Sequence, residues 1–243
     1  MKRVVLIGFL FILFMGFVTA QVISIPMVGS KAPSFTANST NGMITFPESF
    51  GKSWKILFSH PKDFTPVCSS ELLELAYNQN DFNDLGVKIA VVSIDNLEIN
   101  QMWKANLEAV NYKERGPQKI NFPIIDDQTI TASRKYGMIQ IQSNTKSCVR
   151  GMFIIDPDNI IRGFTFYPMN VGRNMDEIKR TIIALQTSDQ MKVYTPADWE
   201  PGKDVLMRQY PYTQKELAQN PSLKNKYYTL NGQIWFMKVE NMR

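Results

Sequence analysis

The residue with the greatest chemical reach is Cys68, one of only two cysteines in 243 residues. It ends the run His60-Pro61-Lys62-Asp63-Phe64-Thr65-Pro66-Val67-Cys68. That run follows an apolar strand candidate, Trp54 to Ser59, and passes through a proline-bounded turn. It leads into Ser69 to Tyr77, where Leu72, Leu75 and Ala76 recur at helical spacing. A thiol placed there opens a helix, where free N–H groups and the positive end of the dipole stabilise an anion. The thiolate is the nucleophilic form of cysteine, so the placement favours a reactive thiol. A buried cysteine used as core filler is the competing reading. Thr65, three residues earlier, can bring its hydroxyl beside the sulfur. Glu71, near the helix start, suits the dipole. His60 is the only histidine. Beside a thiol it invites a general-base reading, against a plainer role lining the pocket. One histidine and two distant cysteines do not make a zinc site, so neither metal nor cofactor is expected.

These residues carry a resemblance. Pro61 to Cys68 fits the Pro-x-x-x-Thr-x-x-Cys signature of the peroxiredoxins, and the wider string from Ser59 to Leu72 resembles their one-cysteine subgroup. Val149-Arg150-Gly151 resembles the strand that delivers the family's arginine. Tyr167-Pro168 and Gly172-Arg173-Asn174 resemble the segment before the last domain helix, and Thr195-Pro196-Ala197-Asp198-Trp199 the start of the subgroup's C-terminal extension. The similarity runs from about residue 28 to 212.

The resemblance implies a thioredoxin-like fold and a thiol-dependent peroxidase for hydrogen peroxide and organic hydroperoxides, acting in antioxidant defence. Cys68 would attack the peroxide and become a sulfenic acid. Arg150 would stabilise the charges on sulfur and on the leaving oxygen, Thr65 would align the O–O bond, and Pro61 would close the pocket. Glu71 and Arg173 would orient Arg150, with His60 lining the site. Partners implied are the peroxide, an external thiol reductant and a second copy of the chain in a homodimer or larger ring, with no nucleic acid. In a strand, Cys148 and Arg150 face the same side, about 6–7 Å apart. Cys148 is read as packing, with a resolving thiol as the alternative. An exported disulfide reductase would want Cys-x-x-Cys, whereas Thr65 and Glu71 occupy the positions three before and three after Cys68. A chaperone or holdase using the same fold is the non-enzymatic alternative. A lipase-like serine elbow is absent from the early segment Ser30-Lys31-Ala32-Pro33.

The elements that must hold these residues alternate strand and helix. Strands are expected at Met43–Phe46, Trp54–Ser59, Val87–Ile94, Phe122–Asp127, Cys148–Asp156 and Ile160–Tyr167. Helices are expected at Ser69–Tyr77, Ile99–Val110, Thr131–Tyr136 and Met175–Gln186. This order predicts an α/β domain, residues 21–186, with a central mixed sheet flanked by helices. From Thr187 prolines and aromatics interrupt short segments, which predicts a small C-terminal dimerisation extension, residues 187–243. Trp199, Tyr210, Tyr212 and Trp235 fit an interface there.

Residues 1–20 are of another kind. Lys2 and Arg3 precede an apolar run from Val4 to Val18, and Val18-Thr19-Ala20 resembles a cleavage site. The run is about 15 residues, short of the roughly 20 that span a bilayer. A signal peptide cleaved after Ala20 and an exported protein (periplasmic or secreted) are expected, with an N-terminal membrane anchor as the alternative. The formal charge of +5, two of it in that leader, is too small and scattered for a nucleic-acid or anionic-lipid surface.

Overall fold

The structure, a computed structural model, describes residues 24–139, 147–209 and 212–239. The N-terminal apolar run and Tyr210 lie outside the described residues. Residues 35–191 form the α/β domain. Its five-stranded sheet is built from β3 (Trp54–Ser59), β4 (Val87–Ser93), β5 (Ile124–Asp126), β6 (Arg150–Ile155) and β7 (Ile161–Tyr167), in the order β5-β4-β3-β6-β7. β4 and β5 run parallel to β3; β6 returns antiparallel to it, with Phe58 opposite Met152. A short hairpin of β1 (Phe35–Ala37) and β2 (Ile44–Phe46) stands apart from this sheet. Helices α1 (Pro66–Asp84), α2 (Leu97–Glu108), α3 (Thr131–Lys135) and α4 (Met175–Met191) complete the domain.

Central β3 is buried from Lys55 to Ser59, so it reads as a continuous apolar run rather than an alternating one. The pleat sends Ile56 and Phe58 to one side, where they pack with Leu72 and Leu75 of α1, Trp103 of α2 and Ile178 and Ile182 of α4. Leu57 goes to the other side with Phe153, Ala132, Tyr136 and the rings of Phe35 and Phe46. Each large side chain so buried stabilises the fold by about 1.5–3 kcal/mol.

Four expectations change in detail. Helix α1 begins at Pro66 and runs to Asp84, past the expected Ser69–Tyr77. Helix α4 continues to Met191, through the expected boundary at Gln186. β6 begins at Arg150 rather than Cys148, which makes only an isolated bridge with Ile139. The C-terminal region is more regular than its prolines indicated. It forms a second sheet of four strands in the order β10-β11-β9-β8, from β8 (Val193–Tyr194), β9 (Val205–Met207), β10 (Tyr227–Leu230) and β11 (Ile234–Met237), with the short helices α5 (Gln214–Gln219) and α6 (Pro221–Lys226). Trp199 and Trp235 are buried within the chain itself, Trp199 against Ala184 and Val193, so they are not exposed aromatics awaiting a partner. Tyr212 instead packs on Tyr227, with ring centroids 5.7 Å apart.

This topology fixes where chemistry can occur. β3 and β4 end, and antiparallel β6 begins, at one edge of the sheet. Helix α1 starts just above it, so the last residue of β3, the first turn of α1 and the first residue of β6 converge.

Candidate active site

Thr65 is the N-cap of α1, with extended backbone (φ −101°, ψ 150°), and Pro66 occupies the first turn. Proline costs nothing there, because the first N–H groups of a helix have no partner inside it. The Thr65 side chain does not cap the helix; its hydroxyl donates instead to the Lys62 carbonyl at 2.9 Å. The structure therefore gives Thr65 no hydrogen bond to the sulfur, while its oxygen keeps lone pairs free to accept one. Cys68 lies in the first turn, fully buried, and its Sγ accepts a hydrogen bond from Arg150 Nη1 at 3.2 Å.

Arg150 is held at every nitrogen. Nη1 also donates to Glu71 Oε2 at 2.8 Å, and Nε and Nη2 donate to the Met169 carbonyl at 2.9 and 2.6 Å. Glu71 is one helical turn beyond Cys68, on the same face. Its carboxylate also accepts from Arg173, whose backbone N–H, Nε and Nη2 each donate at 2.8 Å. Arg173 Nη1 donates to the Gly151 carbonyl at 2.6 Å, and the guanidinium lies 4.5 Å from the ring centroid of Phe58. Burial by itself would raise the Glu71 carboxyl, but the Arg173 bonds and the Arg150 charge outweigh it and hold it below the usual carboxylate range. One carboxylate thus locks two guanidiniums, and one of these points at the thiol. Removing one member of such a buried set costs about 3–5 kcal/mol, because the others are left charged and unpaired.

Ser59 is a residue that sequence reasoning treated only as a strand end. Its Oγ donates to the Val149 carbonyl at 2.7 Å and accepts from the Gly151 N–H at 3.0 Å. The Gly151 N–H is also 2.9 Å from the Val149 carbonyl, so the chain turns tightly at Arg150. Ser59 pins this irregularity and so sets the direction of the arginine. No sequence signal short of pairing β3 with β6 could have found it.

Pro61, Lys62, Thr65, Pro66, Val67, Arg150 and Met169 line a cavity of about 430 Å³, one contact away from Cys68. Pro61 is at its wall. His60 is fully buried behind the loop, with its ring centroid 4.9 Å from that of Trp103. It is absent from the residues lining that cavity. Burial, reinforced by the charge of Arg173, pushes its imidazole down to about 3. A base that weak is neutral at physiological pH and takes up protons poorly.

Cys148 corrects the facing argument. Its Sγ lies 2.9 Å from Ser133 Oγ on α3, which packs on the sheet face opposite to α1. The alternation fails because Cys148 precedes β6 and the turn at Arg150 breaks the pleat. Burial pushes the Cys148 thiol up to about 12, and nearby Asp127 adds to this. Both cysteines are free. Among the described residues, no cluster of three His, Cys, Asp or Glu side chains could hold a metal ion.

A thiol beneath a clamped guanidinium and beside a small pocket is suited to attack a compact electrophile that leaves as an anion. Comparison with known proteins agrees. A sequence model of the AhpC/TSA family matches residues 28–164, more than half of the chain. The chain belongs to that family, the peroxiredoxins. A second model, the C-terminal domain of 1-Cys peroxiredoxin, matches residues 184–216. The peroxiredoxin of Methanosarcina mazei is 44% identical over 183 residues, covering 75% of this chain and 84% of that protein. Peroxiredoxin 2 of Caldanaerobacter subterraneus is 41% identical over 217 residues, covering 89% and 95%. Among solved structures, a mutant of peroxiredoxin 6 from Arenicola marina superposes with a TM-score of 0.75 at 33% identity, covering 88% of this chain and 98% of that one. The peroxiredoxin fold is thus the thioredoxin-like α/β fold expected, and the protein is a thiol-dependent peroxidase; these relatives do not favour the chaperone reading.

Proposed function

We propose that Cys68 is the peroxide-attacking thiol and that Arg150, clamped by Glu71 and Arg173, is the group that makes it so. The supporting observation is the 3.2 Å contact from Arg150 Nη1 to Cys68 Sγ. The thiolate electron pair attacks one peroxide oxygen and the O–O bond breaks. That oxygen stays on sulfur with its hydrogen as a sulfenic acid, and the other leaves with the bonding pair. It takes up a proton and departs as water or an alcohol. Arg150 stabilises negative charge on sulfur before the attack and on the leaving oxygen during it. A guanidinium suits this role because it stays charged and presents several donors in a fixed fork. Thr65 Oγ accepts a hydrogen bond from the peroxide O–H and aligns the O–O bond, and Pro61 keeps bulk water from the pocket.

An external thiol then reduces the sulfenic acid, releasing water. The matched yeast mitochondrial 1-Cys peroxiredoxin is described as resolved by glutathione and thioredoxin systems, which makes small thiols and thioredoxin-like proteins the donors to assay first. Cys148 takes no part: it hydrogen-bonds Ser133 on the far side of the sheet. We further propose a homodimer or larger ring built with the C-terminal region. We also propose export of the chain, with the leader removed after Ala20; N-terminal sequencing of the protein isolated from cells tests the cleavage. The function itself is tested by a peroxidase assay with a panel of thiol donors: Cys68→Ser abolishes turnover. Full activity in that variant would overturn the proposal.

A further inference from the structure

The loop from His60 to Thr65 carries a second cluster that the peroxide chemistry above does not use. Asp63, buried in this loop, accepts from Ser93 Oγ through Oδ1 at 2.7 Å, and its N–H donates to Asp95 Oδ2 at 2.9 Å. These bonds tie the loop to the end of β4. His60 Nε2 is 3.4 Å from Asp63 Oδ1. Trp103 and Asn100, one turn apart on α2, close the other side; Asn100 donates to the Asp95 carbonyl at 3.4 Å. Asp63 Oδ2 has no hydrogen-bond partner, and neither ring nitrogen of His60 has one of good geometry, although the Lys62 backbone lies near enough to act on the imidazole. Buried polar atoms without partners are rare and mark a proton that the heavy atoms do not show.

The surroundings decide which proton. The charged groups that act on the pair are the Asp95 carboxylate from the β4–α2 connection, Glu71 from α1, Arg150 from β6 and Arg173 from the segment before α4. Both arginines are spent on Glu71, and the α2 side chain that packs on His60, Trp103, is neutral. A carboxylate at Asp63 would therefore face Asp95 with no cation of its own. We propose that Asp63 is a positioning residue of the peroxidatic loop, present as a neutral carboxylic acid that donates its proton to His60 through a small rotation of its carboxyl. The inference rests on the reading of Cys68 as the reacting thiol, since the loop it positions carries Pro61 and Thr65.

The proton belongs on Oδ2, because Oδ1 already accepts from Ser93. Donation to a ring nitrogen gives both Asp63 Oδ2 and His60 a partner at once. The loop needs such an anchor: Phe64, the next residue, is held at φ 56°, a left-handed conformation that non-glycine side chains resist. Burial pushes Asp63 up to about 7 and His60 down to about 3, consistent with a neutral pair. In an opened loop both would be charged near pH 5, Asp63 as a carboxylate above its ordinary value of 3.8 and His60 as an imidazolium below its ordinary value of 6.5. Closing the loop therefore moves one proton from His60 to Asp63 without changing the total.

The sign of the pH dependence follows. Closure that removes the charge of His60 is favoured by rising pH, and the raised Asp63 acid opposes this because the closed loop holds its proton longer than the open one. From pH 6 to pH 8 the two contributions oppose each other in the wild-type loop. In Asp63→Asn the acid is gone and only His60 titrates, so opening decreases about fourfold over the same range. The Asn Nδ2 still donates to His60 and its Oδ1 still accepts from Ser93.

The test uses the full chain, with aspartate labelled at the carboxyl carbon for NMR and hydrogen exchange read on loop peptides. The expected result is one carboxyl titrating near pH 7 that vanishes in Asp63→Asn, together with loop exchange, corrected for intrinsic rates, that falls more steeply from pH 6 to pH 8 in Asp63→Asn than in wild type. The peroxide kcat/KM is expected to fall about tenfold in Asp63→Ala and to recover in Asp63→Asn. If every aspartate titrates in its ordinary range, or if the exchange of both proteins changes alike with pH, the proposal is overturned. These two readings decide the matter even if Asp63→Ala does not fold. They need no peroxide, so a protein without peroxidase activity would overturn the reading of Cys68 and leave that of Asp63 standing.

Discussion

Cys68 and Cys148 are the same side chain at the same zero exposure, in two chemically opposite places. Cys68 sits in the first turn of a 19-residue helix with a guanidinium on its sulfur. Cys148 sits in a connecting segment with a neutral hydroxyl on its sulfur and a carboxylate nearby, and its proton is held more tightly than in free cysteine. Burial therefore does not separate a working thiol from an inert one. What separates them is the sign of the fixed charge that the fold brings to the sulfur.

The sharpest way to break the comparison is to remove the charge. Arg150→Met keeps the volume and should reduce the peroxide kcat/KM by about 10²–10³, the scale of losing one donor to a developing anion. Cys148→Ser should change it by less than about twofold. A stopped-flow peroxide titration of both variants checks this. Next is the clamp. Glu71→Gln keeps the shape but leaves Arg150 and Arg173 without their shared anion, and should destabilise the fold by about 3–5 kcal/mol in denaturant unfolding. It should also lower kcat/KM by about tenfold or more. Ser59→Ala should cost less, about 0.5–1.5 kcal/mol, because the Val149 carbonyl and the Gly151 N–H keep their bond to each other and every charge stays paired.

The last prediction concerns Cys148 and appears only at high pH. Its thiol lies near 9.0 in the open chain and about 12 when folded, so the folded state holds the proton longer. The stability from this is complete below pH 9 and is lost as pH rises towards 12, at up to about 1.4 kcal/mol per pH unit. Wild type should therefore lose stability faster than Cys148→Ser between those values in unfolding curves. Equal slopes would place Cys148 in a more open setting than its Ser133 contact implies.

Much of this was legible in the sequence, for identifiable reasons. β3 was readable because a strand buried on both faces is an unbroken apolar run. Cys68, Thr65, Pro61 and Glu71 were readable because they lie within a dozen residues along one loop and helix start. Arg150 and Arg173 were reached only through resemblance, since nothing local in Val149-Arg150-Gly151 or Gly172-Arg173-Asn174 tells of Glu71. Period-two alternation failed at Cys148 because it assumes an unbroken strand, and the chain turns sharply at Arg150 beneath Ser59. The Asp63–Ser93–Asp95 tie was invisible because it joins a turn to the end of β4, some 30 residues on. Trp199 and Trp235 looked like interface aromatics because composition cannot show that the C-terminal segment folds into a sheet of its own.

The central claim is that Arg150 makes Cys68, and not Cys148, the thiol that meets peroxide. One equivalent of hydrogen peroxide added to the native protein, with a sulfenic-acid trap present and peptide mass spectrometry as the readout, tests it directly. The account predicts trapped adduct on the Cys68 peptide alone, falling steeply in Arg150→Met. Adduct on Cys148, a Cys68–Cys148 disulfide, or an undiminished yield in Arg150→Met would contradict it.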